Sequence, residues 1–266
     1  MYSPLTTLID RLDSSAISAT NVIRWSCPIP SFGDLSRSRV ATLGLNPSNR
    51  EFVDESGNEL EGASRRFHTL SSLRLNSWSD VDSRHLQLIV DSCAKYFAGN
   101  PYDRWFRKLD QVVAGTGASY YDIVDMACHL DVIPYATNHK WMELTSSQRS
   151  ALLSAAGDTL ALLLRGSPVR TLILNGRSVV EHFQDIAGVR LERQQMDGWS
   201  LRRKSNGDVK GMAYFGDVDA LSGIPLGHNI CVLGFNHNLQ SSFGVTTKAI
   251  QSISAWIAQA SGKVSL

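Results

Sequence analysis

Paired cysteines are missing from this sequence. Cys27, Cys93, Cys128 and Cys231 stand far apart and form no Cys-x-x-Cys, which excludes the usual cysteine metal site and the dithiol redox motif. Cys93, Cys128 and Cys231 lie in apolar runs, so buried, reduced thiols are expected there; Cys27, beside Pro28, is left open. A long apolar run is missing too. The best stretch, ALLSAAGDTLALLLRG, is interrupted by Gly157 and Asp158, so no membrane-spanning helix is expected. The opening residues, MYSPLTTLIDRLDSSA, carry acidic side chains early and no apolar core of leader length. The expectation is a soluble, cytoplasmic protein with no membrane partner. There is also no excess of one charge: 26 Lys and Arg stand against 25 Asp and Glu, a net charge of +1. That excludes a binder working by bulk charge, though not a local basic groove. Neither Gly-x-x-x-x-Gly-Lys nor Gly-x-Gly-x-x-Gly occurs, which weakens phosphate-loop and dinucleotide readings. No internal repeat or low-complexity segment is found.

What is present is enough apolar material for a full core, 43% of 266 residues. Apolar strands are expected at Arg39–Leu45, Tyr120–Leu130, Val169–Leu174 and Ile230–Phe235. Helical patterns lie between them, among them one from Ser64, one capped by Asp82, one capped by Thr145 or Ser146, and a closing helix VTTKAIQSISAWIAQA. Strands alternating with helices imply an α/β three-layer sandwich, with a central, mainly parallel four-stranded sheet flanked by helices. Val189 to Phe215, with Asn206-Gly207 at its tip, reads as a polar β-hairpin insertion. One domain, 1–266, is expected, with 1–38 as an N-terminal helix and loop extension.

Ligands of such sheets bind beyond the carboxyl ends of the strands, where the loops starting at Asn46, Asp131 and Asn236 begin. In Leu43-Gly44-Leu45-Asn46-Pro47-Ser48, glycine permits close approach and proline stiffens the turn. The Asn46 amide can hold a water with one bond and a substrate with another, although Asn-Pro also simply ends strands. In Leu233-Gly234-Phe235-Asn236-His237-Asn238-Leu239-Gln240-Ser241-Ser242, His237 can pair with developing negative charge, and Asn236 and Asn238 can do so without titrating. A helix-entry loop rich in capping residues is a fair competitor. Basic residues near aromatics suit phosphate and stacking contacts: Arg65 and Arg66; Arg202, Arg203 and Lys204; and Arg104, Arg107 and Lys108 beside Trp105 and Phe106. An ordinary solvated face is favoured for the last group.

Taken together, the two motifs resemble the uracil-DNA glycosylase superfamily, nearest its mismatch-specific and single-strand-selective branches. Gly-Leu-Asn-Pro-Ser is similar to their Gly-Ile/Met-Asn-Pro-Gly, and Arg65-Arg66-Phe67-His68 to an Asn-Arg-Phe-Trp stretch. TLILNGRSVVEHF is similar to their Leu-Leu-Leu-Gly-Lys segment. The second motif sits where those branches carry Asn-Pro-Ser or His-Pro-Ser, but lacks the proline and is one residue longer. The match runs over most of Val40 to Ala260. The resemblance implies a monofunctional DNA N-glycosylase acting on duplex DNA with the target base flipped out, without metal, cofactor or obligate protein partner. It implies Asn46 for the attacking water and Asn236 or His237 for the departing base. It implies Phe67 for stacking, with Leu45 and Asn238 near the base. Leu239 or Gln240 would be the wedge, with Pro47, Ser48 and Ser241 against DNA. Asp131 stands where an asparagine reads the pyrimidine edge. A carboxylate there accepts from an exocyclic amine, which tilts the expectation toward a cytosine-type base; resemblance to a phage-defence glycosylase of the superfamily, together with the altered second motif, implies glucosylated hydroxymethylcytosine in phage DNA. A loop carboxylate capping a turn before Pro134 is the competing reading of Asp131. Uracil or mismatched-thymine repair, a non-catalytic DNA-binding module and a nucleoside-processing enzyme are the alternatives.

Overall fold

A computed structural model describes residues 2–201, 207–240 and 244–262. Three stretches rich in apolar and small residues form the middle of the molecule: Val40–Gly44 (β1), Ala127–Asp131 (β2) and Thr171–Asn175 (β3), each buried along its whole length. Glu192–Gln195 (β4), Met212–Leu221 (β5) and Ile224–Phe235 (β6) complete a six-stranded mixed sheet of order β2-β1-β3-β6-β5-β4. The first four strands in that order run parallel; β5 is antiparallel to β6, and β4 to β5.

The four parallel strands match the expected positions, but the sheet is wider than expected. The hairpin foreseen as an insertion is the edge of the same sheet, because β5 continues to Leu221 and pairs with β6 along most of its length. A tight turn at Ser222-Gly223, both with positive φ, joins them in the manner favoured for two-residue hairpins. Strand β6 therefore starts at Ile224 rather than Ile230. Among the strands its first half pairs only with β5, beyond the parallel strands, where Pro225 and Gly227 are tolerated. Two further elements are shorter than expected. Residues 120–126 form turns, with Asp122 Oδ1 accepting from the Val124 amide at 2.7 Å, so β2 begins only at Ala127. The helix expected from Ser64 is confined to Leu70–Leu73, because Thr69 caps it in a reciprocal box with Ser72 and Phe67 is drawn into an aromatic cluster with Phe32 and Tyr96.

Helices Tyr2–Leu12 (α1), Ser15–Ser18 (α2), Leu70–Leu73 (α3), Ser83–Ala94 (α4), Asp103–Val113 (α5), Ser146–Ala156 (α6), Thr159–Leu164 (α7), Arg177–Ala187 (α8) and Thr247–Gly262 (α9) surround the sheet. Asp82 caps α4 and Thr145 caps α6, each in a capping box. The chain breaks between α6 and α7 at Gly157-Asp158, where Asp158 takes both arms of Arg11 at 2.6 and 2.8 Å, tying α1 to the body. Side chains alternate across a sheet, and both faces are covered. On one, Val180 of α8 packs over Gly234; on the other, Phe106 of α5 lies 5.4 Å from the His129 ring. All four cysteines are free and buried, and burial pushes the Cys93 and Cys128 thiols up to about 12. No helix among the described residues is long and apolar enough to cross a membrane.

Candidate active site

From β1 the chain passes to β2 on one side and then to β3 on the other, so the connection reverses beside β1. Crevices at such switch points, outside the carboxyl ends of the strands, are where α/β sheets bind ligands. A cavity of about 700 Å3 opens there. Its floor is polar, made by Asn46 after β1, His129 and Asp131 of β2, and Asn175 at the end of β3; Trp105 and Phe106 of α5 form an aromatic wall. A second recess of about 450 Å3 lies on the other side of the Asn46–Arg50 loop, against Thr137–Trp141. The first motif thus separates two hollows.

Asn46 is half-buried and its amide orientation is fixed. Nδ2 donates to the Pro47 carbonyl at 3.1 Å and to Thr137 Oγ1 at 2.9 Å. A hydroxyl has one proton, and Thr137 uses it on the His139 carbonyl at 2.6 Å. Thr137 can therefore only accept from Asn46. The amide nitrogen is committed, and Oδ1 has no hydrogen-bond partner among the described residues.

Beside it, Asp131 Oδ1 lies 3.5 Å from His129 Nε2, both side chains almost fully buried. His129 Nδ1 bonds Thr42 Oγ1 at 2.7 Å, which bonds the Tyr120 hydroxyl. This buried chain holds the imidazole upright on the sheet. Gly44 explains why the pair fits: a Cβ at that position would meet Asp131 Oδ1 at 2.4 Å and His129 Nε2 at 2.9 Å. The glycine of the first motif makes room for the histidine and carboxylate of β2.

Glu51 is a member of the cavity that sequence reasoning missed. It ends the short 3-10 turn Asn49–Glu51, capped by Ser48 Oγ, and is only 3% exposed. Burial pushes its carboxyl up to about 7, with Asp131 adding to the rise, while Arg66 and the Tyr96 hydroxyl oppose it. Only its position five residues beyond Asn46 could have flagged it, and an acidic residue in a polar loop is normally solvated.

The second motif contributes differently. Asn236 extends the β5–β6 ladder: its Oδ1 accepts from the Met212 amide at 2.9 Å and its Nδ2 donates to the Lys210 carbonyl at 2.8 Å. His237 is 2% exposed, with Nε2 on the Trp199 carbonyl at 2.7 Å, and burial lowers its pKa. Neither lines the cavity; Asn238 and Gln240 do. Gly176, at φ +105°, lets Asn238 approach to where a Cβ would meet its Cβ at 3.2 Å. Gln240 is held by Asn175 Nδ2 at 2.9 Å and by the Trp105 carbonyl at 3.1 Å.

The other expected residues divide as follows. Leu45, Pro47 and Ser48 line the cavity, with Ser48 exposed and Pro47 buried. Phe67 does not line it: it is 1% exposed and stacks on Tyr96 with centroids 5.1 Å apart, so the rings that face the cavity are others, among them Tyr102, Trp105 and Phe106. Leu239 is 1% exposed within the core and cannot insert into a base stack as it stands. Arg66 is spent on structure, donating to the carbonyls of Arg50 at 2.6 Å and Asn100 at 2.7 Å, which secures the Glu51 turn. Arg65 lines a separate recess of about 260 Å3 with His68 and Lys95. Arg202, Arg203, Lys204, Asn206 and Ser241 lie outside the described residues. Trp141 serves both core and cavity: it is 6% exposed, packs on His182 and lines both hollows. No protein-family model matches this chain, and no curated protein matches it.

Proposed function

We propose that this chain is a DNA glycosylase that hydrolyses the bond between a flipped, modified pyrimidine and its deoxyribose. The observation that carries the reading is Asn46: an amide locked by Thr137 so that only its oxygen is free, on the polar floor of a cavity with an aromatic wall. Such an oxygen orients a water without being a strong base. That suits a reaction in which the glycosidic bond is largely broken before water attacks, with positive charge on the sugar and negative charge on the leaving base. The target carbon is inaccessible in a duplex, so the nucleotide must rotate out. Met142, 75% exposed at the cavity mouth, offers an apolar side chain to fill the vacated gap, a use known for methionine wedges. It takes the part that the resemblance implies for Leu239 or Gln240.

Glucosylated hydroxymethylcytosine is the best-fitting substrate, with phage defence as its role. Asp131 supplies an acceptor for an exocyclic amine, and about 700 Å3 is a volume that suits drug-sized ligands and is ample for a base carrying a sugar. The test is base release, read by mass spectrometry, from matched duplexes carrying uracil, a thymine mismatch, hydroxymethylcytosine or its glucosylated form. Release of the glucosylated base, lost in Asn46→Ala, is the expected result. Release of uracil alone would keep the reaction and move the role to repair. No free base from any duplex would leave a DNA-binding module of the same fold as the better reading.

A further inference from the structure

Glu51 is a buried carboxyl of the cavity with one oxygen tied to the protein and the other left over. Its Oε2 accepts from the Tyr96 hydroxyl at 2.9 Å, and Arg66 Nε approaches the same oxygen at 3.9 Å. The Tyr96 hydroxyl in turn accepts from the Tyr102 amide at 2.9 Å, so its own proton points to Glu51. Oε1 has no hydrogen-bond partner among the described residues. With Oε2 occupied by donors, the proton of the acid form sits on Oε1, the side left for the cavity that Glu51 lines.

We propose that Glu51 is the acid that protonates the departing base. The inference rests on the glycosylase reading above and adds a catalytic residue to it. As the C1′–N1 bond breaks, its electron pair goes to the base, and the charge spreads over N1, O2 and N3. Glu51 Oε1 gives its proton to O2 or N3, so the base leaves neutral. The water oriented by Asn46 Oδ1 forms the C1′–O bond and releases one proton to solvent. The Glu51 carboxylate recovers a proton from solvent for the next turnover. In sum, water places OH on the sugar and H on the base. This is the task the resemblance implies for Asn236 or His237, which here bond to Met212, Lys210 and Trp199. Glu51 and Asp131 then divide the work by position, Glu51 donating to the departing base and Asp131 accepting from its exocyclic amine.

The groups acting on Glu51 are Tyr96 from the α4–α5 connection, Arg66 from the segment before α3 and Asp131 from β2; Tyr102, His129, Arg50, Lys140 and Glu143 stand around the same cavity. With the carboxyl at about 7, the acid form is well populated at neutral pH and is lost above it. Efficient general acids have affinities near the working pH.

The experiment is single-turnover base release from a duplex carrying glucosylated hydroxymethylcytosine, followed across pH for the wild type, Glu51→Gln and Glu51→Asp. Thermal unfolding confirms that each variant is folded. Infrared difference spectra of wild type minus Glu51→Gln, without DNA, read the carbonyl stretch of a protonated carboxylic acid. The wild-type rate is expected to fall about tenfold per pH unit above the Glu51 midpoint. Glu51→Gln is expected to lose on the order of 10^2-fold or more and to show no such fall, while Glu51→Asp keeps the pH dependence at a lower rate. A Glu51→Gln rate and profile equal to wild type would overturn the acid role and leave the glycosylase reading intact. A difference spectrum without the acid carbonyl below neutral pH would overturn it, and should Glu51→Gln fail to fold, a wild-type rate that stays flat as pH rises through about 7 would overturn it by itself. A wild type that releases no base from any duplex would remove the glycosylase reading, and the role of Glu51 with it.

Discussion

The loop after β1 and the loop after β6 leave the same sheet at the same end, yet they spend their polar side chains in opposite ways. After β1, Asn46 has its nitrogen tied down and its oxygen left over. After β6, Asn236 and His237 are consumed by structure. The cause is the neighbour. Strand β6 has β5 beside it, and β5 begins at Met212, directly opposite Asn236, so the side chain joins a ladder that its backbone has just left. On the β1 side the neighbouring chain past Asp131 supplies main-chain bonds to Gly44 and Leu45 and then Thr137, which takes only the amide nitrogen. A polar residue following a strand is available for chemistry where the adjacent chain leaves an atom unpaired, whatever the motif around it.

Removing Asn46 should break this contrast most severely. Asn46→Ala is expected to lower base release by on the order of 10^3-fold, the upper range for losing one pre-placed polar group, with DNA binding and thermal stability retained. The check is a single-turnover rate beside a binding titration. A comparable loss in Asn236→Ala without unfolding would show that the β6 loop does chemistry after all.

Glu51 gives the next largest effect, and it is one of stability. Its folded affinity of about 7 lies above the ordinary 4.5, so the folded state holds the proton more tightly than the unfolded chain. The stability linked to this group is fully present below 4.5 and is lost as pH rises through about 7. The loss is about 3 kcal/mol, from the size of the shift. Glu51→Gln cannot ionise and should be the more stable protein by about that amount at alkaline pH, with the gap closing toward acid. Denaturant unfolding at several pH values measures it.

For His237 the expectation is the reverse of catalysis. Truncation to alanine removes the bond to the Trp199 carbonyl in a buried setting, for about 2 kcal/mol of stability. The rate of base release per folded molecule should not change. His237→Gln, whose amide nitrogen can reach the same carbonyl, should recover part of the stability. Because burial lowers the His237 affinity below the ordinary 6.5, the unfolded chain takes up its proton first. This residue therefore costs stability as pH falls below 6.5, and His237→Gln should flatten that loss. Paired denaturation and rate measurements separate these outcomes.

How far the sequence reached follows the same logic. The parallel strands were legible because each is an apolar run ending in a turn signal, and the capping residues Asp82 and Thr145 were legible because capping is local. At the edge of the sheet the polar hairpin was legible from its turn signal, and β4 pairs with the start of β5 inside it, but its continuation was not. The rest of β5 and the first half of β6 carry glycine and proline, so they resemble loop until paired. Asn46 and Asp131 were legible as polar residues at the carboxyl ends of buried strands. Glu51 was not, because its burial comes from distant segments: Tyr96 and Arg66 close over it, and no local pattern announces that. Phe67 and Leu239 failed in the opposite direction. Their apolar side chains suit stacking and wedging in an open groove, but the aromatic cluster and the core claim them first. Local chemistry identifies what a residue can do; long-range packing decides whether it is free to do it.

The smallest predicted effect sharpens the contrast most, because it concerns an atom that touches no substrate. Thr137 is 2% exposed and determines which end of the Asn46 amide faces the cavity. Thr137→Val keeps the volume and removes the hydroxyl. The His139 carbonyl loses its donor, at about 1 kcal/mol of stability, and Asn46 Nδ2 keeps only Pro47. The amide can then turn over, and a turned amide presents N–H groups where an oxygen is required. Base release should fall about tenfold through lost orientation, with no change in DNA affinity. Thr137→Ser retains the hydroxyl and should retain the rate. A Thr137→Val enzyme as fast as wild type would mean that Pro47 alone orients the amide. The proline of the first motif would then position the chemistry as well as stiffen the turn.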